Sequence, residues 1–137
     1  MIHLVDTGPL VAFVNREDRF HSWAAEAFSR IDRPLHTCEA VLTEACFLLR
    51  AARGGAAAVV AMAQRGFLRL DFSLAREAAS VGGLLRRYAD RPMSLADACL
   101  VRMTELHTDC ELVTLDADFR VYRRNGRQVI PTVMPAK

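Results

Sequence analysis

Two periodicities of apolar residues alternate along the chain. Mainly apolar segments of strand length occupy 2–5 and 112–115, residues 67–72 alternate between apolar and polar, and 34–37 is a weaker strand candidate. Elsewhere, apolar residues recur at helical spacing, which predicts helices over 10–14, from 21 to about 31, from 37 to about 53, over 56–64, from 73 to about 90 and over 94–107. Because strands that alternate with helices need crossover connections, the pattern predicts an α/β fold with a mainly parallel sheet between layers of helices.

The C-terminal part of the chain has a weaker pattern. Asn125 and Gly126 form a turn signal, and a candidate last strand follows at 129–130. The arginines around this turn are Arg120, Arg123, Arg124 and Arg127. They could neutralise phosphates of a nucleic acid, or they could be solvated charges of an edge strand.

Size and composition restrict the class of protein. The 137 residues are 52% hydrophobic, which fits a single domain over 1–137 with a sizeable core. The formal net charge of +2 is nearly neutral, so charge alone names no partner. The four cysteines show no C-x-x-C spacing, which disfavours a metal–thiolate site. With no leader pattern and no apolar run of membrane-spanning length, we expect a cytoplasmic protein without membrane contact.

The first apolar run ends in a carboxylate followed by turn chemistry. Asp6 follows the strand directly, Thr7 can cap a helix, and Pro9 suits the first turn of that helix. Ligands of open α/β sheets bind outside the carboxyl ends of the strands, so Asp6 is a candidate site residue. The alternative is that Asp6 only helps to cap the helix. Asp71 also follows an apolar run, which shows that this pattern is not diagnostic by itself.

Glu44 is the second unusual acid. The positions three and four residues away on its helix are Ala40, Val41, Phe47 and Leu48, so we predict that the carboxylate projects from an apolar face. A buried carboxylate must be protonated, paired with a cation or bound to a metal ion. The alternative to a metal role is a buried arginine partner.

Asp97 and Asp116 repeat these patterns. Asp97 shares a predicted helix face with Met93, Leu100 and Val101, although it also fits a capping box with the preceding serine, Ser94. Asp116 follows the apolar run 112–115, and Asp118 comes two residues later. The hydroxyl residues Thr7 and Thr114 stand close to the first and last of these acids and could orient their carboxylates.

A shared crevice for Asp6, Glu44, Asp97 and Asp116 would concentrate negative charge that only cations can neutralise. Hard oxygen ligands without His or Cys favour Mg²⁺ or Mn²⁺. The pattern therefore points to metal-assisted hydrolysis of phosphodiesters.

These motifs resemble those of PIN-domain nucleases, and their order and the chain length are similar to those of VapC-type toxins of toxin–antitoxin pairs. The matching stretches are LVDT (4–7), VLTEA (41–45), LADA (95–98) and TLDADF (114–119). The resemblance implies a parallel sheet of four or five strands in a three-layer α/β/α arrangement, and an Mg²⁺ site that cuts RNA. Its metal-binding acids would be Asp6, Glu44, Asp97 and Asp116, with Asp118 as a fifth candidate and Thr114 as a supporting hydroxyl. The resemblance further implies a homodimer and a cognate antitoxin whose tail occupies the active-site groove.

Two other functions are compatible with parts of the sequence. The tripeptide Asp6-Thr7-Gly8 is also the signature of dimeric aspartic proteases, but those need a β-rich chain and leave Glu44 and Asp97 unexplained. A catalytically silent PIN-fold module could use its acidic groove to hold a basic peptide.

Overall fold

The structure of the protein is a computed structural model that describes residues 1–136. The strands in chain order are β1 (Ile2–Val5), β2 (Leu35–His36), β3 (Leu68–Arg69), β4 (Cys110–Val113), β5 (Arg123–Arg124), β6 (Gln128–Val129) and β7 (Thr132–Val133). The helices are α1 (Thr7–Val14), α2 (His21–Ser29), α3 (Glu39–Leu48), α4 (Gly55–Gln64), α5 (Leu74–Arg87) and α6 (Leu95–Leu106), and a single 3-10 turn covers Ala117–Arg120.

Five strands form one parallel sheet flanked by the helices. The strand order is β3-β2-β1-β4-β7, and every neighbouring pair in it is parallel. Leu4 is in register with both His36 of β2 and Leu112 of β4, so β1 is the central strand. The prediction of an α/β fold with a mainly parallel sheet is confirmed. The residue that follows β1 consequently stands at the middle of the sheet's carboxyl edge.

The central strands are hydrophobic because both of their faces are covered. Leu4, Val5, Leu112 and Val113 have no exposed surface. Full burial of each such side chain stabilises the fold by roughly 1.5–3 kcal/mol. A smaller cluster of Ala45, Leu49 and Val59 joins α3 to α4. The backbone that carries Asp6 therefore continues directly from the fully buried end of the central strand.

The first and third helices begin differently from the prediction. Helix α1 starts at Thr7 and Asp6 is its cap, whereas the sequence favoured Thr7 as the cap. Helix α3 is capped by Cys38, and its predicted cap, Thr37, instead donates its hydroxyl to the Val5 carbonyl at 2.9 Å. A threonine hydroxyl that donates to a carbonyl at the end of a neighbouring strand is not available to cap its own helix.

Other boundaries are also shorter than predicted. Helix α3 ends at Leu48 rather than near 53, and α5 ends at Arg87 rather than near 90. Strand β3 contains two residues instead of the predicted six, and β4 ends at Val113 rather than at 115. The capping serines of α5 and α6, Ser73 and Ser94, are where the sequence placed them. Side-chain capping signals are local, and they are therefore easier to read than helix ends set by packing.

The C-terminal segment contains a hairpin and then a fifth sheet strand. Strands β5 and β6 pair antiparallel around Asn125 and Gly126, both of which have positive φ. The predicted last strand at 129–130 falls in this hairpin, while Thr132–Val133 pairs with β4 at the sheet edge. Arg124 is not a surface charge, because it is 6% exposed and donates to the carbonyls of His107 and Thr108 beyond α6. No helix within residues 1–136 has the length and apolar character needed to cross a membrane.

Candidate active site

Asp6 closes the central strand and starts the first helix. Its backbone N–H donates to the Val113 carbonyl at 3.0 Å, so hydrogen bonding between β1 and β4 continues to this residue. As the cap of α1, its Oδ1 accepts from the Thr7 backbone N–H at 2.7 Å. Its Oδ2 accepts from the Thr114 hydroxyl at 2.7 Å. Asp6 does cap the helix, and its second oxygen points to the end of β4.

Thr114 joins Asp6 to the acids that follow β4. The residue is fully buried, and its Oγ1 accepts from the Asp116 backbone N–H at 3.0 Å while its hydroxyl donates to Asp6. Asp116 in turn caps the 3-10 turn, since its Oδ1 accepts from the Asp118 backbone N–H at 2.9 Å. One hydroxyl therefore holds two separate chain segments, and the acids on them, in a fixed relation.

Glu44 reaches the same crevice from α3. Its Oε2 accepts from the Thr7 hydroxyl at 3.1 Å, which places it one residue from Asp6. The predicted apolar face around it is only half buried, because Val41 has no exposed surface whereas Phe47 and Leu48 are 60% and 57% exposed; Glu44 itself is half-buried. The alternative of an arginine partner also finds no support, since none of the ion pairs among residues 1–136 includes Glu44.

Asp97 is the third residue of α6 and forms the capping box with Ser94 that the sequence indicated. The Ser94 hydroxyl oxygen accepts from the Asp97 backbone N–H at 3.0 Å, and Asp97 Oδ2 accepts from the Ser94 backbone N–H at 3.1 Å. Only 8% of Asp97 is exposed. The cap uses one carboxylate oxygen, and the hydrogen bonds recorded for the described residues leave Oδ1 without a donor.

The pKa of Asp6 shows that the acids interact. The pKa of Asp6 is raised from the usual 3.8 to about 6, mainly by burial and in smaller part by the negative charges of Asp97 and Asp116. The hydrogen bonds from Thr114 and Thr7 oppose this increase, because they stabilise the ionised carboxylate.

Asp97 behaves in the same way. Burial raises its pKa to about 6, and the charges of Asp116 and Glu44 contribute in the same direction. The hydrogen bonds of Ser94 act against the rise. Asp97 therefore lies close enough to Asp6, Asp116 and Glu44 for their charges to interact, and the charges that shift the pKa of Asp6 and Asp97 most are carboxylates.

The donor set suits a hard divalent cation. It consists of carboxylate oxygens with threonine hydroxyls in support, which are the ligands of Mg²⁺ and Mn²⁺ rather than of softer metals. Within the described part of the chain, no three His, Cys, Asp or Glu side chains are already clustered tightly enough to hold an ion. The raised pKa values of Asp6 and Asp97 nonetheless show that their ionised forms are unfavourable in this crevice, and a bound cation would offset that cost.

One neighbour of this crevice was not predicted from the sequence. Tyr122 is fully buried, and its pKa is raised by burial and then by the charges of Asp97, Asp118 and Asp116. No sequence signal singled it out, because it lies between arginines in a segment without clear periodicity. Its proximity to the acids is produced by the turn over Ala117–Arg120.

Comparisons with known proteins agree with this architecture. The sequence model of the PIN domain matches residues 3–125. Among proteins with curated descriptions, none matches the chain.

Two solved structures share the fold. One is the crystal structure of VapC20 from Mycobacterium tuberculosis, described as a Sarcin-Ricin loop cleaving toxin. It is 23% identical, with a TM-score of 0.77 over 94% of this chain and 99% of that one. The other is VapBC2 from Rickettsia felis bound to a DNA fragment from their promoter, 15% identical, with a TM-score of 0.66 over 99% of this chain and 100% of that one.

Proposed function

Because the chain belongs to the PIN domain family, we propose that it is a divalent-cation-dependent endoribonuclease and the toxin of a toxin–antitoxin pair. Nucleases of this family generally use divalent metal ions. The observation that carries the proposal is the convergence of Asp6, Glu44, Asp97 and Asp116 on one crevice in which carboxylate charges dominate. We further propose that residues 1–137 form one PIN domain, which acts in the cytoplasm.

The proposed roles follow from the contacts. Asp6, Glu44, Asp97 and Asp116 would hold Mg²⁺ or Mn²⁺, with Asp118 next to them at the end of the Asp116 cap. Thr114 orients Asp6, and Thr7 orients Glu44, through hydrogen bonds of 2.7 and 3.1 Å. A bound divalent cation would supply the Lewis acidity that activates water and stabilises charge on the leaving oxygen. The protein's contribution is to hold the carboxylates in place, so that they need little reorganisation when the phosphodiester binds.

RNA is the proposed substrate, and the fold shared with VapC20, the Sarcin-Ricin loop cleaving toxin, supports it. Of the arginines near the fourth acid, Arg120 and Arg127 are exposed and available to phosphates. Arg123 donates to the carbonyls of Arg120 and Val121, and Arg124 is buried, so these two serve the local fold.

We predict that the purified protein cleaves RNA in Mg²⁺ or Mn²⁺, stops in excess EDTA and recovers when the cation is restored. The physical reason is that the crevice needs a positive charge before it can bind a phosphodiester. Cleavage of labelled RNA, resolved on a denaturing gel, measures this. Activity that survives complete chelation would contradict the metal role.

The same assay separates the alternatives. A silent module would bind a basic peptide without cutting RNA under any metal condition. An aspartic protease would cut peptides without a divalent cation, but the parallel α/β sheet does not provide the β-rich fold that this activity requires.

We also propose an antitoxin partner, for which the structure offers a groove. An apolar depression of about 890 Å³ runs between α1, α2 and α4, with Phe13, Ala58 and Ala61 among its lining residues. Arg16 and Arg65 line it as well and are both exposed. Small alanines permit close approach of a helix, and the two cations favour an acidic one. The fold likeness to the VapBC2 structure is consistent with such a partner.

The antitoxin proposal predicts inhibition by the product of a small reading frame adjacent to the gene. That product should bind the protein and suppress RNA cleavage. Ala58→Arg should weaken both effects, because it fills the groove and adds a like charge, whereas Ala78→Arg on exposed α5 should not. Equal inhibition of the two variants, measured by titration of cleavage rates, would place the partner elsewhere.

A homodimer remains a prediction. Three exposed apolar side chains on α3 and α4 support it: Phe47, Leu48 and Val60 are 60%, 57% and 56% exposed. Large apolar side chains exposed on two helices that pack together are compatible with a surface that another protein covers.

A further inference from the structure

Tyr122 is tightly packed next to the turn that follows Asp116. It has no exposed surface, and its ring meets the ring of Phe119 edge-on with centroids 5.4 Å apart. The ring of Tyr88 packs against its other side at 5.1 Å. Its backbone N–H donates to the Asp118 carbonyl at 3.0 Å, which ties it to the turn that follows Asp116. The ring therefore has little freedom to point its hydroxyl elsewhere.

Within residues 1–136 the Tyr122 hydroxyl has no hydrogen-bond partner, although it is buried. Tyr88 provides a direct contrast, because its hydroxyl oxygen accepts from the Arg123 backbone N–H at 3.0 Å. An unpaired buried hydroxyl is unfavourable, and phenylalanine would fill the same space without that cost. The position of Tyr122 therefore suggests a partner that forms in another state of the site.

The acids of the crevice are the candidate acceptors, because their charges act on the Tyr122 hydroxyl. The charges that act on Tyr122 are chiefly those of Asp97, Asp118 and Asp116. Among these, the Asp118 and Asp116 segments are held by the hydrogen bonds of the 3-10 turn. Asp97 uses Oδ2 for its capping box and has Oδ1 without a donor among the described contacts.

We propose that Tyr122 is a positioning residue, whose hydroxyl donates to the Asp97 carboxylate when the crevice binds a divalent cation. This inference rests on the proposed function, because it needs the acids to be the cation site. A donor behind a metal-binding carboxylate fixes its orientation, and loss of such a partner weakens metal binding by roughly 10–100-fold. In the cation-free protein the Tyr122 hydroxyl has no hydrogen-bond partner within residues 1–136.

Tyr122→Phe tests the proposal in two directions. Removal of an unpaired hydroxyl should leave the melting temperature of the cation-free protein equal or higher. The same change should weaken Mn²⁺ binding by roughly 10-fold or more, measured by calorimetry or by paramagnetic resonance of free Mn²⁺. A side chain with only a packing role would change neither the Mn²⁺ affinity nor its pH profile.

Tyr88→Phe is the matched control. It leaves the Arg123 N–H without its acceptor, so it should lower the melting temperature while Mn²⁺ affinity stays unchanged. The chain has two tyrosines, so Tyr122 is the only one in this variant. Addition of Mn²⁺ to Tyr88→Phe should therefore give a tyrosine difference absorbance spectrum that reports the new hydrogen bond of Tyr122.

The outcomes are distinguishable. If the parent binds Mn²⁺ and cleaves RNA, and Tyr122→Phe binds Mn²⁺ equally well, the positioning role is wrong and the proposed function stands. An absent difference spectrum in Tyr88→Phe at saturating Mn²⁺ would also overturn the positioning role. If the parent neither binds divalent cations nor cleaves RNA, the proposed function fails, and this inference fails with it.

Discussion

Asp6→Asn is expected to reduce metal-dependent RNA cleavage by more than about 100-fold, beyond the range typical of a residue that only supports a ligand. Asparagine keeps the shape of Asp6 but removes the charge that a divalent cation would bind. The asparagine side-chain oxygen can still accept from the Thr7 backbone N–H. The asparagine NH₂ group can donate to the Thr114 hydroxyl oxygen, which reverses the direction of the hydrogen bond made by Asp6. The helix cap is therefore retained, and loss of cleavage would not reflect unfolding.

The same substitution should stabilise the cation-free protein at neutral pH. With a pKa of about 6 instead of 3.8, the ionised Asp6 costs the folded state up to about 3 kcal/mol at pH 8. Asparagine removes that cost. Asp6→Asn should thus melt at a higher temperature than the parent without metal and gain less from added Mg²⁺. The combination of lower activity and higher stability distinguishes a functional acid from a structural one.

Asp71→Asn is the control for Asp6→Asn, because Asp71 also follows a strand. Its Oδ1 lies 3.7 Å from Nδ1 of His36, and its side chain is 49% exposed. It is not among the charges that shift the pKa of Asp6 or Asp97. Cleavage by Asp71→Asn should match that of the parent. If Asp6→Asn also cleaved at the parental rate, the hydrolytic role of the crevice would have to be abandoned.

The sequence predicted the acids at the strand ends and the helix start because their signals are local. A carboxylate directly after a buried strand must lie at the edge of the sheet, and the capping box around Asp97 is defined by four consecutive residues. The order of the four acidic motifs along the chain was then enough to identify the family resemblance. The alternation of strands with helices was enough to predict the parallel sheet.

Features that depend on packing between distant segments were not predictable in the same way. Glu44 was expected on a buried apolar face, yet Phe47 and Leu48 beside it are exposed, because no element within residues 1–136 covers that side of α3. The burial of Arg124 depends on where α6 ends, and the burial of Tyr122 depends on the turn that precedes it. A single sequence contains the residues of such contacts but not their three-dimensional pairing.

The stability of the cation-free protein should rise as the pH falls from 8 to 5, the reverse of ordinary acid denaturation. Asp6 and Asp97 both have folded-state pKa values of about 6 and an ordinary value of 3.8. Between these values the folded protein binds protons that the unfolded chain has released, so stability increases as the pH is lowered through 6. Each carboxyl would contribute about 1 kcal/mol over this interval, which raises the melting temperature by roughly 3–8 °C for both together.

Other groups and added metal provide the checks on this pH effect. Burial lowers the pKa of His36, which favours folding at higher pH and opposes the carboxyls. Asp6→Asn retains His36, so the difference between the parental and variant melting curves isolates the share of Asp6. Because protons and Mg²⁺ compete for the same oxygens, Mg²⁺ should raise the melting temperature strongly at pH 8 and little at pH 5. A Mg²⁺ effect of equal size at both pH values would show that the cation binds away from Asp6 and Asp97.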